Sequence, residues 1–141
     1  MNGNRVVVTG LGAVTPVGLD VASSWQAICD GKSGAASIES FNTDAFSTQF
    51  SCSVKDFSTE GYLAPKDSKR MDPFIQFGMV AGIQAIRDSG LEVTDANCER
   101  IGCAIGSGIG GIGSIERNNE LILNSGPRRM SPFLCREPSL I

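Results

Sequence analysis

The sequence predicts an α/β fold, and three stretches carry that prediction. Arg5 to Thr9 contains an apolar run, Val6-Val7-Val8, that empties into Gly10-Leu11-Gly12 ahead of a helical pattern. Arg100 to Gly113 repeats the scheme: Ile101, Cys103 and Ile105 alternate with small residues, end in Gly106-Ser107-Gly108-Ile109-Gly110-Gly111 and lead into a second helical pattern. Between them, Asp72-Pro73 opens a long apolar helix. A strand that runs through a glycine loop into a helix places backbone amides at the carboxyl edge of a sheet, where open α/β folds keep their ligand sites.

Each element has a local reason. Val6-Val7-Val8 reads as a strand buried on both faces. Asp20 is a good N-cap, and Val21, Trp25, Ile28 and Cys29 follow at helical spacing until Gly31 stops the turn. From Lys32 to Phe57 the signal is weaker. Gly34, Asn42 and Asp44 mark turns, and Phe50, Cys52 and Val54 alternate with polar residues as in a half-exposed strand. Lys66-Asp67-Ser68-Lys69-Arg70 is a charged segment before the next helix.

An N-cap followed by Pro at the first position predicts a helix from Pro73 to about Ser89, closed by Gly90. It is roughly 25 Å long at 1.5 Å per residue. Phe74, Phe77, Val80, Ala81, Gln84 and Ala85 share one broad face, so the helix is expected to be buried. Gly78 and Gly82 each cost about 1 kcal/mol relative to Ala, which close packing would offset. Asp95 to Glu99 turns the chain into the Ile101 strand. After Gly113, Ile115, Leu121, Ile122 and Leu123 predict a shorter helix ending near Gly126-Pro127. Arg128-Arg129 and Ser131-Pro132-Phe133 follow, and Leu134 to Ile141 shows no periodicity.

Composition removes several function classes. With 141 residues, 41% of them hydrophobic, the chain has enough apolar surface for one domain with a core. A formal charge of −3 argues against nucleic acid as a partner, because phosphate neutralisation needs a basic surface. No apolar run approaches the roughly 20 residues that cross a bilayer, and MNGNRVVVTG lacks a signal-peptide pattern. A cytoplasmic protein without membrane association is expected. The five cysteines, Cys29, Cys52, Cys98, Cys103 and Cys135, form no C-x-x-C pair, and the chain has no histidine. No metal site is expected, and the thiols are expected to be reduced, buried packing groups.

Three chemistries remain to be weighed. Gly106, Gly108 and Gly111 spell G-x-G-x-x-G, a dinucleotide-binding pattern, but the second strand of a βαβ unit is missing after it. A cysteine nucleophile needs a base or positive electrostatics. Cys103 lies inside a predicted strand, Cys135 lies beside Arg136 in an irregular tail, and no G-x-S-x-G elbow occurs. Lys66, Lys69, Arg70, Arg128 and Arg129 form local basic clusters that could suit an acidic partner, although the charge pattern alone favours a solvated charged turn.

VVVTGLGAVTPVG, KRMDPFIQFGMVAGIQAIRDSGL, RIGCAIGSGIGGIG and GPRRMSPF occur in that order. Together they resemble the β-ketoacyl-acyl-carrier-protein synthases, in particular the synthase II branch of bacterial fatty acid synthesis. The resemblance runs from about Arg5 to Phe133 and corresponds to the N-terminal part of such an enzyme.

It implies a thiolase-like condensing-enzyme fold, five alternating α and β layers in two related halves, of which this chain holds only the N-terminal half. It also implies a cytosolic homodimer that needs no cofactor. The family transfers an acyl chain to a cysteine and condenses it with malonyl-acyl-carrier protein, with two histidines stabilising the enolate oxygen.

The T-A-C-x-S context of the family nucleophile does not occur in this sequence, and neither does any histidine. The resemblance therefore implies no catalytic residue here and an inactive isolated chain. Ile109 matches the isoleucine gating the acyl pocket, and Phe133 matches a residue lining it near the dimer interface. Lys66, Lys69, Arg70, Arg128 and Arg129 match basic positions facing the acyl carrier protein, so the resemblance reverses the preference from charge pattern and implies docking.

Residues 1–133 are thus expected to form a partial β-ketoacyl synthase N-terminal domain. Residues 134–141, LCREPSLI, depart from the family and read as a divergent tail, as in a truncated or frameshifted product or a fragment. A non-catalytic module binding carrier protein or a subunit, and a nucleotide-binding α/β domain, are the alternatives.

Overall fold

The computed structural model describes Gly3 and residues 5–129. Phe133, Cys135 and the tail lie outside the described residues. Among the described residues there are four α-helices, α1 (Val21–Cys29), α2 (Pro65–Ser68), α3 (Pro73–Ser89) and α4 (Ile112–Ser125), and two short strands between α1 and α2, β1 (Ala36–Ser37) and β2 (Phe50–Ser51). Two 3₁₀ turns occupy Cys98–Arg100 and Pro127–Arg129. The chain divides into two compact units, Met1–Tyr62 with Met79–Leu91, and Leu63–Gly78 with Glu92–Ile141.

In the first unit, α1 starts on a capping box. Asp20 Oδ1 accepts the Ser23 amide at 2.7 Å, and Ser23 Oγ accepts the Asp20 amide at 3.3 Å. It ends in a Schellman arrangement: Lys32 N donates to Ala27 O and Gly31 N to Ile28 O, with Gly31 at φ +68°. The predicted cap and stop are both observed. The buried side chains of α1 are Ser24 and Ala27, whereas Trp25 and Ile28 face outward.

The C-terminal part of α3 organises the opening loop of this unit through its side chains. Asp88 Oδ2 accepts the Leu11 amide at 2.8 Å, and Gln84 Oε1 accepts the Ala13 amide at 3.0 Å. Gln84 Nε2 donates to Leu19 O at 2.7 Å. Gly10 and Gly12 lie directly against the α3 backbone, so a Cβ on either would overlap the carbonyl oxygens of Ala85 and Ala81. Arg87 donates to Gly61 O at 3.0 Å and stacks on the Tyr62 ring, 5.0 Å from its centroid.

Pro73–Ser89 has the predicted bounds, and Gly90 follows at φ +64°. The expected burial holds only in part. Val80 is 2% exposed, while Phe74 and Ile86 are exposed and most of the remaining face is half-buried.

The predicted strands differ most. β1 and β2 form one antiparallel pair, with Ala36 opposite Ser51 and Ser37 opposite Phe50. This places the predicted strand near Phe50 in a ladder but limits it to two residues. Neither Val6–Val8 nor Ile101–Ile105 belongs to a ladder among the described residues, and Val6 is 89% exposed. A strand buried on both faces needs neighbours to accept its backbone groups and cover its side chains. Among the described residues neither run has a ladder partner, and Val6–Val8 is left largely exposed. The cysteines also correct the expectation: Cys29, Cys52, Cys98 and Cys103 are exposed free thiols.

In the second unit, the first three residues of the charged segment, Lys66–Ser68, lie within the short helix α2. Helix α4 begins at Ile112, directly after the glycine loop, and ends before Gly126 as predicted. A Cβ at Gly78 would sit 3.2 Å from Ile105 Cγ2, so this glycine lies close to the Ile101–Ile105 run and not against another helix.

Candidate functional site

The charged turn and the glycine loop both belong to the second unit. Pro65 opens α2 at its first position, Lys66 and Lys69 fall on the helix and its C-cap, and Arg70 follows. All three cationic side chains are exposed. The turn is held by a residue that sequence reasoning missed: Gln76 of α3, whose Nε2 donates to Ser68 O at 3.0 Å and to Met71 O at 2.9 Å. Arg128 and Arg129 are exposed on the 3₁₀ turn behind α4, after Gly126 at φ +77°. The structure thus gathers Lys66, Lys69 and Arg70 on one short segment and places the second basic pair on another.

Ile109 sits in the glycine loop with 73% of its surface exposed. Ser107 Oγ accepts the Gly110 amide at 3.2 Å, making a compact turn beneath it. Gly110 takes φ +78°, and a Cβ there would sit 3.5 Å from the Phe74 ring. Gly111 is the N-cap of α4 and offers no side chain to the free amides of the first turn. A Cβ at Gly111 would overlap the Asp72 carboxylate. That carboxylate accepts the Ser114 hydroxyl, and Arg117 Nη2 donates to Ser114 Oγ at 2.9 Å. Asn118, buried, donates to Ser114 O at 2.7 Å.

This geometry bears on the dinucleotide alternative. A pyrophosphate would need the N-terminus of α4, and the Asp72 carboxylate is already beside it. Like charge and lack of space both oppose a phosphate there. The strand that should feed such a loop is also not in a ladder.

Cys103 is exposed rather than packed, and the chain offers no imidazole as a base. Among the described residues, no cluster of Cys, Asp and Glu suited to a metal ion occurs, and no helix is long and apolar enough to cross a membrane. An open groove in the first unit is lined by Leu11, Val21, Trp25, Gln84, Arg87 and Asp88, and none of the predicted site residues contributes to it.

Comparison with known proteins gives a consistent picture. The chain is 53% identical over 141 residues to 3-oxoacyl-acyl-carrier-protein synthase 2 of Vibrio cholerae, covering 100% of this chain and 34% of the relative. The synthase 2 of Staphylococcus aureus is 39% identical over 137 residues, covering 97% and 33%. The chain therefore spans about a third of the length of the curated relatives it matches.

Two solved structures superpose on it with thiolase-like ketosynthase folds. The ishigamide ketosynthase/chain length factor gives a TM-score of 0.70 at 28% identity, covering 92% of this chain and 32% of that one. A type II polyketide synthase acyl-carrier protein in complex with its ketosynthase, bound to the hexaketide, gives 0.72 at 28% identity, covering 91% and 34%. The incomplete thiolase-like fold expected from the sequence is thus observed, with about a third of such a chain present. The family described as beta-ketoacyl synthase, N-terminal domain, matches residues 3–141, and the chain belongs to that family.

Proposed function

We propose that this chain forms the carrier-facing and acyl-facing part of a 3-oxoacyl-acyl-carrier-protein synthase. In the whole enzyme's reaction an acyl group is first held as a thioester on a cysteine. Malonyl-acyl-carrier protein loses carbon dioxide, and the resulting enolate carbon attacks the acyl carbonyl. A new carbon–carbon bond forms as the cysteine thiolate leaves, giving 3-oxoacyl-carrier protein. The chain's own residues bind and orient rather than react. Lys66, Lys69 and Arg70, with Arg128 and Arg129, attract the acidic carrier protein. Ile109 and Phe133 bound the acyl chain, and a second copy completes a homodimer in the cytosol.

The observation that carries this reading is the exposed trio Lys66, Lys69 and Arg70 on a turn braced by Gln76. A preformed cationic turn on a chain of net charge −3 concentrates positive potential where an acidic partner can dock. The test is titration of the purified chain with acyl carrier protein, alongside a condensation assay with acyl- and malonyl-carrier protein. Binding without carbon dioxide release is expected. Absence of binding at low ionic strength would remove the docking role. Carbon dioxide release by a chain without histidine would remove the division of labour.

The lack of any histidine favours one second reading, a non-catalytic module that binds carrier protein or pairs with a full-length subunit. Co-purification with a full-length synthase, without activity of its own, would support it.

A further inference from the structure

We propose that Asp72 is a positioning residue for the Gly106–Gly111 loop and, through it, for Ile109. Asp72 works at two helix starts at once. Its main-chain oxygen accepts the Ile75 and Gln76 amides at 3.0 and 3.1 Å, opening α3. The Asp-Pro pair predicts its side chain as the cap of that same helix, yet the carboxylate engages the Ser114 hydroxyl in the first turn of α4. There the helix brings only glycine to its own N-cap. A carboxylate from a distant segment supplies the negative charge that a helix N-terminus favours, and Arg117 completes the group through Ser114.

The packing shows which end of the loop is fixed. Gly111 fits only because it lacks a Cβ opposite Asp72, and Gly110 lies over the Phe74 ring, two residues further along the same segment. Gly106 and Gly108 have open space around them. The loop is thus pinned at its C-terminal end and open at its N-terminal end, and Ile109 is the residue where the two conditions meet. Releasing the pin changes where the Ile109 side chain points. This deepens the acyl-pocket reading of Ile109 and rests on it for its consequence, but not for its geometry.

The experiment is methyl NMR of the full chain labelled at isoleucine δ1 carbons, with amide exchange measured at Ser114 and Ile115. Asp72→Ala and Ser114→Ala should shift and sharpen the Ile109 methyl signal and speed exchange at Ser114 and Ile115 by about tenfold. Asp72→Asn, which keeps an acceptor and loses the charge, should fall between. The Ile28 methyl signal on α1 should stay in place. If Asp72→Ala unfolds the chain, Ser114→Ala carries the test, because it removes one hydroxyl and leaves the residue before Pro73 unchanged. An unmoved Ile109 signal in folded Ser114→Ala protein overturns the proposal. Failure of carrier-protein binding in the titration above would instead overturn the functional reading and leave this positioning role standing.

Discussion

Gln84 donates its amide to the Leu19 carbonyl at 2.7 Å while its oxygen accepts the Ala13 amide at 3.0 Å. One side chain therefore fixes both ends of the loop that runs from the first glycines to α1. Gln84→Ala leaves both partners without this contact, and half-buried backbone groups without partners cost about 1–3 kcal/mol. Gln84→Glu should be no better, since it keeps the acceptor but sets a carboxylate against a carbonyl. Trp25, the single tryptophan, lies in the same unit and reports its urea unfolding. Wild-type midpoints in both variants would show that Gln84 does not hold the loop.

Gly12 presses on the α3 backbone closely enough that a Cβ would overlap the Ala81 carbonyl. Backbone cannot turn aside as a flexible side chain does, so Gly12→Ala should destabilise by about 1–3 kcal/mol. Gly102 has nothing within 4 Å and makes the control. Gly102→Ala should be neutral or stabilising by about 0.5 kcal/mol, through reduced freedom of the unfolded chain. Equal thermal shifts for the two variants would contradict the close approach seen at Gly12.

Asp20 carries a pH dependence of known sign. The Ser23 amide, then the Ser23 hydroxyl, hold its carboxyl below the ordinary aspartate range against a small opposing effect of burial. A carboxyl whose folded pKa is depressed binds fewer protons folded than unfolded. Its contribution is therefore fully present above the unfolded value of about 3.9 and is lost as pH falls through the folded one. Asp20→Asn keeps a capping oxygen but cannot titrate, so the stability gap between the two proteins should narrow below about pH 4. Helix content of α1 followed from pH 7 to pH 2.5 checks it. A gap that widens in acid would refute the assignment.

Local chemistry was legible wherever a residue acts on its immediate neighbours. Asp20, Gly31, Pro73 and Gly90 mark helix ends because caps and left-handed stops are satisfied within a few residues. Val6–Val8 and Ile101–Ile105 misled because hydrophobicity records the wish for a covering surface and not the presence of one; only ladder partners make a strand. The thiols misled for the same reason, since Cys103 lies in a run whose cover is not supplied. At the candidate site, the glycine loop and the basic residues could be read from their types. The bond between Asp72 and Ser114, 42 positions apart, could not, because no local pattern announces which distant side chain a carboxylate will meet, and Gln76 could not, because nothing in its type marks the carbonyls of Ser68 and Met71 as its partners.

The braced turn makes a prediction that separates charge from geometry. Lys69→Glu with Arg70→Glu should weaken binding of acyl carrier protein by about tenfold or more, mainly through slower association, and the loss should shrink as salt rises toward 0.5 M. Gln76→Ala changes no charge. It frees the carbonyls of Ser68 and Met71 from their shared donor and lets the cationic turn sample other arrangements. A smaller loss of about two- to fivefold is expected, carried by faster dissociation and nearly independent of salt. Arg128→Glu with Arg129→Glu tests whether the second basic pair belongs to the same footprint. If it does, its effect should share the salt dependence of the first. Surface plasmon resonance at two ionic strengths distinguishes these cases. Equal, salt-independent losses in all three variants would mean that the turn acts through folding and not as a landing site for an acidic protein.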